Sequence, residues 1–120
     1  MDTNDSTAEL QLSDGGLWAV RSTSATVCYL DLDRMRLYRD RGPGSPVFFY
    51  DGRWVPLVQV RSSRGDRGVV RVGDRHEFLT DPEGGFQDYQ WWIPRVCVAI
   101  VRITAADAPG GRDVRFPERP

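Results

Sequence analysis

Trp18-Ala19-Val20-Arg21, a polar Ser22-Thr23-Ser24 turn and Thr26-Val27-Cys28-Tyr29-Leu30-Asp31-Leu32 decide how this chain folds. Trp18 and Val20 alternate with Ala19 and Arg21. Thr26, Cys28, Leu30 and Leu32 alternate with Val27, Tyr29 and Asp31. Period-two alternation on both sides of a turn is the pattern of antiparallel strands with one buried face. It predicts a strand over about 17–22, a second over 25–32, a turn at Asp33-Arg34 and a third strand over 35–39.

Outward from that meander, Asp40 to Pro46 holds two Gly and two Pro and reads as a loop. Val47-Phe48-Phe49-Tyr50 reads as a short aromatic strand or a core plug. Asp51-Gly52 is a hairpin turn signal that would pair 48–50 with 53–57. Further strands are expected over 57–61, 69–72, 75–79 and 89–93. Val96 to Ile103 is apolar on both alternating sets, which predicts a strand buried on both faces. No stretch of eleven residues keeps a helical period. The fold class is therefore all-β, a single small barrel or compact sandwich of about seven or eight short antiparallel strands. Residues 1–14, polar and acidic, read as a flexible lead-in. The domain spans 15–104, and 105–120 reads as a disordered Pro/Gly/Arg-rich tail.

Composition narrows the chemistry. A chain of 120 residues makes one domain that needs no metal or disulfide staple. The net charge of −1 gives no whole-protein field toward nucleic acid or membrane. All 16 basic residues are Arg; a GC-rich genome accounts for this, and selection for bidentate anion recognition is the competing reading. Cys28 and Cys97 lie in apolar runs and read as small buried hydrophobes, although a disulfide is open if their strands are neighbours. No basic, apolar leader precedes the domain, and the longest apolar run is too short for a bilayer. The expected setting is the cytoplasm, with no membrane partner.

No phosphate loop, metal-spaced Cys/His set or nucleophile turn is present, so no cofactor, metal or catalytic residue is expected. His76 is the one histidine, which leaves it as the sole base for a hydrolase reading. Asp31 and Asp33 share a strand face but lack further carboxylates for a hard cation. Arg64-Gly65-Asp66 is ordinary turn chemistry. Two constellations carry functional readings. Tyr89, Trp91 and Trp92, with the loop arginines Arg64 and Arg67, have the composition of a protein-binding hot spot. Adjacent tryptophans on a strand face opposite ways, so one is core and the other exposed. The alternative is a nucleic-acid-binding barrel using Arg61, Arg64, Arg67, Arg71 and Arg75. The expected partner is another protein, with nucleic acid as the alternative and self-association left open.

Leu17-Trp18-Ala19-Val20 to Leu30-Asp31-Leu32-Asp33, with the valine-rich 96–103 strand, resembles small uncharacterised proteins of high-GC actinobacteria and their phages. The resemblance spans about half the chain and carries no functional residues. It implies an accessory role, encoded by a phage or a mobile element.

Overall fold

A computed structural model describes residues 5–85 and 88–110. Ten strands are present: β1 Ser6–Thr7, β2 Glu9–Gln11, β3 Leu17–Ser22, β4 Val27–Asp31, β5 Arg36–Asp40, β6 Trp54–Ser62, β7 Val69–Arg71, β8 His76–Thr80, β9 Gln90–Trp92 and β10 Cys97–Arg102. The all-β class follows from this. Eight of the strands form one antiparallel sheet in the order β1-β10-β3-β4-β5-β6-β8-β9, and β2 pairs with β7 in a separate ribbon.

The opening alternation maps onto the sheet directly. Val20 pairs with Cys28 and Trp18 with Leu30, so the apolar set of each strand shares one face. Leu37 and Arg39 of β5 continue that face opposite Leu30 and Cys28. Phe78, Trp92 and Ile100 complete it from β8, β9 and β10. The sheet curls around these side chains. Its ends are not paired with each other, so it is not a closed barrel and fits the compact-sandwich alternative. The start of β10 is instead tied to the β7–β8 turn, where Gly73 N donates to Cys97 O at 2.8 Å and Cys97 N donates to Asp74 O at 2.9 Å.

Four expectations are corrected. The expected flexible lead-in is structured from residue 5: β1 pairs with β10, and β2 pairs with β7. Leu10 enters the core, because the ribbon lays Leu10 and Val70 together over it. The hairpin at Asp51-Gly52 does not form. Residues 47–48 lie outside any strand, 49–52 form a turn, and β6 pairs with β5 through Tyr38 and Trp54. The β10 strand is not buried on both faces, since Val96 and Val98 are exposed. A bulge between Cys97 and Ala99 shifts the phase, so Cys97 and Ile100 both point inward. The start of the expected tail is ordered as well: a 3₁₀ turn spans Ala105–Asp107, and Trp54 Nε1 donates to Pro109 O at 3.2 Å. Residues 111–120 lie outside the described residues.

Candidate functional site

Strand β9 ends the sheet order, so among the described residues its backbone pairs on one side only, with β8. Across from its open edge runs the 43–50 loop. A cleft of about 530 Å³ separates this loop from residues 91–95. A second hollow of about 290 Å³ lies between residues 47–50 and 90–91. Phe48 and Trp91 line both, so the two hollows adjoin at β9 and together make a groove.

The loop is held from below by Arg39. This side chain is only 2% exposed, because the alternation of β5 puts it on the inner face with Leu37. Its Nη1 donates to both carboxylate oxygens of Asp51, at 2.7 and 2.8 Å. Asp51 Oδ2 also accepts from Phe48 N at 2.8 Å. The guanidinium lies over the Phe48 ring at 3.9 Å and near the Trp92 ring at 5.1 Å. Such cation–π stacking strengthens when water is excluded. Arg39 Nε is buried with no acceptor. The other side of the loop is fastened by Thr26, whose hydroxyl donates to Ser45 Oγ at 2.6 Å and accepts from Gly42 N at 3.0 Å.

The adjacent tryptophans divide as strand geometry requires. Trp92 is 6% exposed and stacks on Phe78 with centroids 5.7 Å apart. Trp91 is 51% exposed. Thus Trp92 contributes a wall of the cleft from within the core rather than a free contact surface. Tyr89, Ile93, Val47 and Phe49 are exposed beside Trp91. The last three were not singled out from sequence, because a tertiary approach of loop to strand brings them together. Arg39 left a trace in the sequence: it shares the alternation of Leu37.

The candidate arginines are placed differently from expectation. Among the described residues, no hydrogen bond, ion pair or ring contact joins Arg64 or Arg67 to the aromatic set. Arg64 Nε donates to the buried Asp74 at 2.8 Å. Arg61 stacks over Trp91 at 5.7 Å while bonding Glu77. Arg75 Nε donates to Pro94 O at 2.8 Å, at the far end of β9. Arg71 bonds Asp66 and Glu9. Of the five residues proposed to meet nucleic acid, Arg61, Arg64 and Arg71 therefore already face carboxylates, so they do not make a free cationic stripe.

His76 sits in the core, where its Nε2 accepts from Arg71 N at 3.0 Å. Burial lowers its pKa below the usual imidazole value, partly offset by Asp74. Cys28 and Cys97 are free and buried, and burial raises both thiols. Asp31 is buried under Arg36 and Arg34, and Asp33 accepts from Gly16 N at 3.1 Å. Among the described residues, no group of three or more His, Cys, Asp or Glu is arranged to hold a metal ion. Among the described residues, no helix is long and apolar enough to cross a membrane.

In comparisons with known proteins, no family model, no curated protein and no solved structure matches the chain.

Proposed function

We propose that this chain is a non-enzymatic protein-binding module that captures an extended segment of its partner along β9. One observation carries this reading: the unpaired edge of β9 runs beside a groove flanked by exposed Trp91, Phe49, Ile93 and Val47. A strand edge supplies main-chain donors and acceptors, and alternate side chains of the added strand fill the flanking pockets. Tyr89 and Trp91 supply apolar area at low conformational cost. The engagement of the one imidazole favours the same reading over a hydrolase: the Nε2 of His76 accepts from a backbone amide, and the ring is buried. A phage or mobile-element accessory role, in a bacterial cytoplasm, is the setting we attach to it from the sequence resemblance alone.

Peptide-display selection on the immobilised protein tests the reading. Selected peptides should shift backbone amide resonances of residues 90–93 and 44–49 in ¹⁵N-labelled protein. Trp91→Ala should weaken them by about thirtyfold, the effect of losing a central aromatic anchor. Peptides that shift other strands, or bind Trp91→Ala as well as the parent, would remove this site from the proposal.

A further inference from the structure

The two halves of the β9 groove differ in chemistry, and the difference identifies what the captured segment must carry. The half beside 47–50 is apolar, with Val47, Phe48, Phe49 and Trp91. The half toward 93–95 mixes apolar walls with hydroxyl and basic groups. Its walls hold the hydroxyls of Thr23, Ser24 and Ser45 with the side chains of Arg39 and Arg95, and among the described residues no carboxylate lines it. Asp51, which faces Arg39, already accepts from Arg39 and Phe48 N. Arg95 is exposed at the rim. Arg39 is buried with its Nε donating to nothing. Arg95 is therefore the open guanidinium of this half, and carboxylates match guanidinium geometry best.

Resting on the strand-capture reading above, we infer that the captured segment is acidic and apolar together. It carries an Asp or Glu side chain seated in the Arg39–Arg95 half of the groove. An apolar side chain two positions away sits against Trp91 and Phe49. In an extended chain, side chains two apart lie on one face about 7 Å from each other, so they can enter adjoining hollows. The carboxylate sets direction as well as affinity, since reversing the segment would place it among Val47 and Phe49.

Capped, amidated octapeptides of alternating Thr and Val test this. Each carries one Phe and, two residues on, Asp, Asn or Lys. Fluorescence anisotropy is measured on the parent protein, Arg95→Gln and Trp91→Ala. Arg95 and Trp91 are exposed, so both variants keep the fold, checked by circular dichroism. The Asp peptide should bind at least about fivefold tighter than the Asn peptide, the Lys peptide weakest, as for a charge pair at an interface rim. The Asp preference should vanish in Arg95→Gln and shrink at high salt. Equal binding of Asp and Asn peptides, both weakened by Trp91→Ala, would overturn the carboxylate while leaving strand capture intact. Absence of binding by all three, or binding indifferent to Trp91→Ala, would overturn both. So would concentration-dependent self-association of the parent abolished by Trp91→Ala, because a second copy would then occupy the groove.

Discussion

Arg39 is the residue on which the site depends. A guanidinium held at 2% exposure is tolerated because Asp51 faces it and two aromatic rings cover it. Removing one partner of a buried pair leaves an uncompensated charge, at a cost of roughly 3–5 kcal/mol. Asp51→Ala should therefore lower stability by about that much in urea unfolding, and it should loosen the 47–50 loop. His76 makes a second residue-scale prediction. Burial, the larger influence, holds its folded pKa below the ordinary 6.5. The unfolded chain then binds more protons between those two values, so stability falls as pH drops below about 6.5 and is unaffected by His76 above it. Unfolding free energies of His76→Gln measured across pH 5–7 should lose that part of the slope. Asp31 adds a separate loss only at lower pH. Its arginine neighbours outweigh its burial and hold its carboxyl below the usual value of 3.8.

Among the elements, the loop between β5 and β6 is the one whose placement makes a groove. Gly42 packs so closely on the β3–β4 turn that an added Cβ would stand 2.5 Å from the Ala25 backbone carbon. Gly42→Ala must push the loop away from the β3–β4 turn and should cost about 1–3 kcal/mol. It should also widen the cleft, readable as changed amide shifts at Ser45 and Phe48. This part of the site was not legible beforehand. The Asp51-Gly52 pair carries the local mark of a hairpin, but Tyr38 and Trp54 offer a wider partner surface. Tyr29, Tyr38 and Trp54 pack edge to face at 6.2 and 5.4 Å on the outer face, and Arg36 lies over Trp54 at 4.8 Å. Tertiary pairing with β5 therefore overrides the local turn preference. Strand β9 was legible, including the opposite facing of Trp91 and Trp92, because that follows from strand geometry. Its position at the end of the sheet was not.

At the level of the whole molecule, the polar leading segment completes the core rather than preceding it. Leu10 is 1% exposed beneath the β2–β7 ribbon. Leu10→Ala should cost about 2–5 kcal/mol by thermal or urea unfolding, whereas a flexible segment would show no change. Cys28 and Cys97 report on opening of the same core. Both thiols are buried and raised by burial, so they should react with a thiol reagent only as fast as the molecule opens. Reaction within mixing time in native buffer would contradict the packing described. The all-β class, the β3–β4–β5 meander and the facing of its side chains were determined by sequence alone, because alternation and turn residues act over neighbouring positions. Only the tertiary structure decided the curl of the sheet, the open edge of β9, the burial of Leu10 and Arg39 and the meeting of the 43–50 loop with Trp91. Each of these joins residues far apart in the chain, and no local pattern encodes which distant surfaces will meet.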